Sequence, residues 1–288
     1  MTAPAVAQPL VPPRPRSEIA RRVVVYVLLA LVSLLFFVPF IWSISTSFKT
    51  LPDTQFFNFI PHPFTTQAWT TVWTQYDFKR YIANSLFLAV VITAVNLVLS
   101  SLGGYAFARL RFPGRELLFI LVLGTLMIPD QLRLIPVFVM LTNWHLIASF
   151  KGYLLINVVT ATNLFFMRQY FLTIPKDYEE AAKLDGAGHL KTYWRVMLPL
   201  AAPAMAALAI LQFQGTWNDF FWPLILFGQG SPHLYTVQLG LAEFSLTYQT
   251  QWPELMAGSL IAIVPILIVF VTFQRFFIEG VVASGVKG

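Results

Sequence analysis

The stretch Asp177–Pro199, DYEEAAKLDGAGHLKTYWRVMLP, decides how this chain is read. It is the longest charged passage in an otherwise apolar sequence. Asp177, Glu179, Glu180, Lys183 and Asp185 crowd its first half. On a helical wheel Tyr178, Ala181 and Ala182 share one face, and Glu179, Glu180 and Lys183 the other. The small-residue face lets another backbone come close. Asp177 is placed to cap the helix, with Glu180 at the capping-box position. Gly186 and Gly188 are expected to stop it. A second run, Leu190 to Met197, is expected to end before Pro199, because the residue preceding a proline avoids the helical region. The passage predicts a helix-turn-helix elbow held outside a membrane.

The composition around the elbow makes that membrane necessary. The 288 residues are 57% hydrophobic and 11% charged, with a mean hydropathy of +0.68. Soluble domains carry roughly 25% charge, so too little polar surface is left for a soluble globule. Aromatic residues reach 16%, 27 of them Phe, which suits lipid-facing surfaces and interfacial belts. The chain has no cysteine, and its four histidines (His62, His145, His189, His233) are scattered without ligand spacing. Neither a metal site nor thiolate chemistry is expected. The net charge of +6 flanks apolar runs, so topology explains it better than nucleic-acid binding does.

The predicted architecture is all-α and polytopic. A Pro- and Arg-rich tail, 1–22, precedes a first span at about 23–47, too long for a signal-peptide core. Further spans are expected at about 81–108, 117–141, 153–171, 200–227 and 255–277, with the elbow at 177–199 and a short tail at 279–288. Gly103 and Gly104 near the inner end of span two allow close helix packing. Span three is ambiguous. Its uncharged run stops at Pro129, short of the roughly 20 residues a span needs, and Asp130 and Arg133 follow. Either the helix kinks there and carries the pair near the outer surface, or it ends and an interfacial segment follows. Six spans place both termini and the elbow on one side. Only Lys49, Lys79, Arg80, Arg133 and Lys151 of the 19 basic residues lie opposite, so the positive-inside bias puts termini and elbow in the cytoplasm.

Several chemistries are missing. The sequence has no G-x-x-x-x-G-K-[ST] phosphate loop, so an ATP-driven pump built on this chain needs a separate nucleotide-binding partner. It has no intramembrane chain of Asp, Glu or His for a proton relay, no internal repeat and no paired broken helices of the secondary-transporter kind. A catalytic set within the spans is likewise absent, so a membrane enzyme is not expected.

The order Glu180-Ala181-Ala182, three residues, Gly186, nine residues, Val196-Met197-Leu198-Pro199 resembles the EAA signature of bacterial ABC-importer permeases. Ala106-Phe107-Ala108-Arg109 through Phe112-Pro113-Gly114-Arg115 and Trp217-Asn218-Asp219 with Trp222-Pro223 resemble the carbohydrate-uptake, MalG-like branch, as does the ending Ser284–Gly288. The resemblance covers nearly the whole chain after residue 23. It implies the type I importer permease fold (MetI/MalG-like), with the elbow as the coupling helix seated in a cytoplasmic ATPase through Glu180, Ala181, Ala182, Gly186, Leu198 and Pro199. It also implies a bacterial or archaeal cell membrane, a second, non-identical permease, two ATPase subunits that carry ATP and Mg, and an extracytoplasmic solute-binding protein. The expected solute is an oligosaccharide or disaccharide, with glycerol phosphates and polyols as the alternative within the class. A stand-alone carrier or channel is the competing reading. It would make the elbow only a loop.

A substrate path is expected in span five. Gln212, Gly215, Thr216 and Asp219 recur at i, i+3, i+4 and i+7, drawing a polar stripe along an apolar helix. Amide, hydroxyl and carboxylate groups suit sugar hydroxyls, and Trp217, Asn218 and Trp222 lie beside the stripe. The same residues also fit a small-residue contact with a partner permease and an interfacial aromatic belt.

Overall fold

The computed structural model describes residues 16–228, 230–245 and 249–285. Every regular element among them is helical. α1 (Arg16–Thr46) leads through a single 3-10 turn to α2 (Gln67–Thr74) and the long α3 (Phe78–Arg109). α4 (Arg115–Thr125), α5 (Asp130–Asn143), α6 (Phe150–Asn157) and α7 (Ala161–Thr173) follow. The elbow contains α8 (Asp177–Leu184), α9 (His189–Thr192), a π turn over Tyr193–Met197 and α10 (Leu198–Leu200). α11 (Ala202–Trp217), α12 (Phe221–Phe227), α13 (Val237–Glu243) and α14 (Trp252–Gly285) complete the chain.

Four stretches are long and apolar enough to cross a membrane: 21–46, 78–109, 150–173 and 252–274. Two bent pairs bring the number to six if each is one span: α4 with α5, bent by 100°, and 189–200 with α11, bent by 75°. The first helix begins at Arg16, inside the segment expected to be a tail, because Arg and Glu continue a helix as readily as they leave one. Residues 1–15, where most of that tail lies, fall outside the described residues, as do 286–288. α14 likewise runs past the expected end of span six, to Gly285.

α3 is the axis of the bundle. It packs along α7 and α11, and Gly104 is the tightest point. A Cβ there would lie 2.6 Å from that of Met167 and 2.8 Å from the Arg168 backbone nitrogen, so the α3–α7 approach requires glycine. Around this end lies one core of Tyr105, Phe171, Tyr193, Met197 and Leu208. At the opposite end α2 and α13 close over α3 and α14, burying Val72, Phe78, Trp217 and Phe244. Hydrogen bonds lock this cap: Tyr81 donates to Glu243 at 3.1 Å, and the Asn84 side chain donates to the carbonyls of His233 and Tyr235 at 3.0 and 2.9 Å. α1 lies at the periphery against α14, with Leu35 and Phe36 about 70% exposed, as lipid-facing residues are.

The breaks depart from the sequence expectation. α4 ends at Thr125 and α5 starts at Asp130, so span three neither continues through Pro129 nor loses its ion pair: Arg133 contacts the Asp130 carboxylate within the first turn of α5. The eleven residues of α4 rise about 16 Å, half of a roughly 30 Å hydrocarbon core. α4 by itself is therefore too short to cross, and the break lies within the stretch expected to be span three. Further breaks separate α6 from α7 at 158–160 and α11 from α12 at 218–220. Spans four and five are continuous in the sequence reading: Val158-Val159 carries apolar composition across the first of these breaks, whereas Asn218-Asp219 marks the second.

Candidate functional site: the elbow and the mid-depth polar network

α8 ends as Gly186 requires. Gly186 has φ +73°, where a side chain is strained. Its N–H reaches the Lys183 carbonyl at 3.0 Å, and the Ala187 N–H reaches the Ala182 carbonyl at 2.9 Å. This pair of bonds is a Schellman motif. The start differs from expectation. The N-cap is Lys176, and no side chain caps the helix. Asp177 sits one residue inside, where its charge favours the helix dipole instead. The second run also differs. The helix passes through Pro199 and stops only at Ala201, because the preceding turn widens. The Leu198 N–H bonds back to the Tyr193 carbonyl, five residues away, which accommodates a proline ring and its missing donor.

The faces of α8 are not those of the simple wheel. Ala182 is buried against the body of the protein and the Glu179 side chain is largely buried, whereas Glu180, Ala181 and Leu184 point outward. The reason is Arg109 at the end of α3. Its guanidinium, on a side chain 5% exposed, donates to the carbonyls of Phe171, at 2.6 Å, and Ile174, and lies 3.7 Å from the Glu179 carboxylate, also largely buried. This pin turns Glu179 and its neighbour Ala182 inward. Ala182 is therefore no outward contact, contrary to the expectation that it seats in a partner. Tyr193 adds a second anchor through a 2.6 Å hydrogen bond between its hydroxyl and that of Ser101. Leu198 packs partly into the adjoining core, and Pro199 is exposed.

The outward surface carries Glu180, Lys183 and Asp185, and among these charges stand large apolar side chains. Leu184 is 90% exposed, and Leu190 and Trp194 are exposed nearby. Nothing lies within 4 Å of where a Gly186 side chain would begin.

The span-five stripe is a hydrogen-bonded seam. The Asn163 amide donates to Asn96 and to Gln212, each at 2.7 Å. Ser100 donates to the Asn96 side-chain oxygen Oδ1, and Gln212 donates to Thr216 at 3.2 Å. One network thus ties α3, α7 and α11 together at mid-depth. Asp219 accepts from the Tyr153 hydroxyl at 2.8 Å and faces the start of α12. Asn218 is exposed and accepts from Gln238 at 3.2 Å. Trp217 does not belong to a path. It is 1% exposed, stacks on Phe213 and donates to the Ala262 carbonyl at 3.1 Å, because it lies on the face of α11 turned to α14. Asn96, Asn163 and Arg109 were not singled out as site residues. Polar residues within apolar runs were the available signal for the first two.

Among the described residues no group of three or more His, Cys, Asp or Glu side chains could hold a metal ion. An all-helical bundle with four to six candidate spans and a charged elbow between them has the make-up of a multi-spanning membrane protein. Comparison with known proteins gives the family. Residues 99–282 match the binding-protein-dependent transport system inner membrane component, and the chain belongs to that family. It is 39% identical over 208 residues to an arabinooligosaccharides transport system permease protein of Halalkalibacterium halodurans, covering 72% of this chain and 74% of that one. It is 33% identical over 247 residues to an sn-glycerol-3-phosphate transport system permease protein of Yersinia pestis, covering 82% and 87%. Its fold matches a chain of a bacterial ABC transporter that imports the acidic polysaccharide alginate, with a TM-score of 0.79, 26% identity and coverage of 93% and 100%.

Proposed function

We propose that this permease works in an ATP-driven importer for a carbohydrate, with the elbow as its coupling surface to a separate ATPase. Two ATPase subunits, a second permease and an extracytoplasmic solute-binding protein complete the assembly. Termini and elbow face the cytoplasm, where the ATPase is. The carrying observation is the outer surface of the elbow. Leu184, 90% exposed, stands in a segment whose neighbours are charged, and exposed apolar groups clustered on a polar element mark a docking site. Glu180, Ala181 and Gly186 share that exposed side. The similarity to an arabinooligosaccharide permease and the fold of an alginate importer support the carbohydrate.

The test uses Gly186, in the complete transporter reconstituted in vesicles. Gly186→Asn tolerates positive φ and adds a side chain, whereas Gly186→Leu is both strained and bulky. If the glycine leaves room for the ATPase, both variants insert into the membrane, and both lose at least about half of the binding-protein-stimulated ATP hydrolysis. Full activity of Gly186→Asn would leave the glycine as only a helix stop, and full activity of both variants would sink the seating surface.

A further inference from the structure

We infer that the cavity at the α4–α5 break is a binding site for an uncharged sugar unit on its way through the membrane. This deepens the carbohydrate reading and rests on it. The cavity has a volume of about 770 Å³, within the usual range for small-molecule sites. Two interrupted spans form its wall: the 126–129 turn between α4 and α5, and the 158–160 turn between α6 and α7. Each interruption ends a helix and leaves its last carbonyls without helical partners. Within a membrane such backbone is tolerated only where protein or a water-filled cavity receives it. These breaks therefore make a polar recess where lipid would otherwise be.

The side chains specify what the recess takes. Asp130 and Arg133 stand on its wall, each about half exposed and paired to each other. They are the only ionisable groups among its lining residues, so the site is neutral overall. Arg133 has five N–H donors in a planar fork, and only Nη2 contacts Asp130. An adjacent acceptor carboxylate and donor guanidinium match the paired hydroxyls of a sugar ring. Asn157 and Thr160 add an amide and a hydroxyl from the second break. Trp144, 54% exposed, adds indole surface on which an apolar ring face can rest, and Trp222, itself buried in the adjoining core, completes the lining. A phosphate or uronate would bring negative charge that no surplus cation here offsets, and burying such a charge is costly. Thr160 also accepts from Asn96 at 3.4 Å, which connects the cavity wall to the seam that joins α3, α7 and α11.

The test begins with thermal-shift screening of the cognate binding protein against neutral oligosaccharides, uronate oligomers and sn-glycerol 3-phosphate. The solute that it selects is then used in proteoliposomes holding the complete transporter. A neutral sugar is expected. Trp144→Ala and Asn157→Ala should each lower its uptake about tenfold, with binding-protein-stimulated ATP hydrolysis retained, and Trp144→Phe should restore most of the uptake. Because this chain has no native cysteine, Trp144→Cys gives a direct readout: saturating sugar should slow its alkylation at least threefold. Unchanged uptake of a neutral sugar by both alanine variants overturns the cavity and leaves the carbohydrate reading intact. Trp144→Cys already shielded in the sugar-free transporter, or alanine variants that fail to assemble, would mark an assembly surface instead and overturn it too. Selection of a uronate overturns the uncharged class, and selection of sn-glycerol 3-phosphate overturns the carbohydrate reading itself.

Discussion

α1 and α8 both expose large apolar side chains, and the two exposures mean different things. On α1, Leu35 and Phe36 are about 70% exposed within an uninterrupted apolar run. Lipid is their solvent, and they need no protein partner. On α8, Leu184 is 90% exposed among Asp177, Glu179, Glu180, Lys183 and Asp185. Water surrounds such a segment, so the same exposure is unfavourable until another surface covers it. The polar groups show the reverse. The mid-depth bundle keeps amides inside and satisfied by one another, whereas the elbow keeps one guanidinium–carboxylate pair inside and displays the rest. A hydrophobic residue is informative only once its solvent is known.

The largest effect should come from the pin that orients α8. Arg109→Gln leaves Glu179 in its pocket without its cation and takes charged donors from the Phe171 and Ile174 carbonyls. Removing one partner of a buried pair costs about 3–5 kcal/mol. The apparent melting temperature in nanodiscs should fall by several degrees, with coupled ATP hydrolysis lost. Glu179→Gln should cost less, because a neutral amide replaces the charge. A wild-type melting curve for Arg109→Gln would mean that α8 is oriented by packing alone.

The comparison itself can be broken next. Leu184→Gln should weaken association of the ATPase about tenfold in a pull-down from detergent, with little change in thermal stability. Leu35→Gln should do the opposite, lowering insertion or stability without touching association. Matching phenotypes would show that the two exposed leucines meet the same solvent.

The smallest effect concerns the connection between α1 and α2. Asp53 accepts from the Asn58 side chain at 3.0 Å and from the His62 N–H at 3.2 Å. These bonds, the Asn58 one foremost, hold its carboxyl below the usual carboxylate range despite partial desolvation. Nearby, buried Lys49 donates to the Asn58 carbonyl at 2.5 Å and lies 4.4 Å from the Trp42 ring centre. A depressed folded-state pKa stabilises the loop above the ordinary carboxylate pKa, and that contribution is lost as pH falls through the depressed value. Amide exchange in 53–62 should be flat from pH 7 to 5, after correction for intrinsic rates, and should accelerate only at more acidic pH. Asp53→Asn should remove that step.

The class of the protein was legible because it rests on quantities that composition and spacing carry directly. Apolar runs of span length, a basic bias to one side and an EAA-glycine-Leu-Pro register do not depend on what packs where. Gly186 was legible for the same reason, since a helix stop is local. The role of Trp217 was not. An indole beside a polar stripe has the same sequence whether it faces a cavity or turns to Ala262.

The sequence by itself determined that the chain spans a membrane as a bundle of helices, that it carries an elbow with a glycine stop, and that it lacks a phosphate loop of its own. Hydropathy, charge and backbone conformation act locally, and a single chain displays them in order. Only the tertiary structure decided where the spans break, that Ala182 turns inward, and that Arg109 reaches Glu179 across 70 residues. It also joined Asn96, Asn163 and Gln212, and brought two interrupted spans around one neutral recess. Each depends on which helices meet, and at what height. That is set by close approaches such as Gly104 against Met167 and by the need of every buried polar group for a partner, neither of which is written in any one segment.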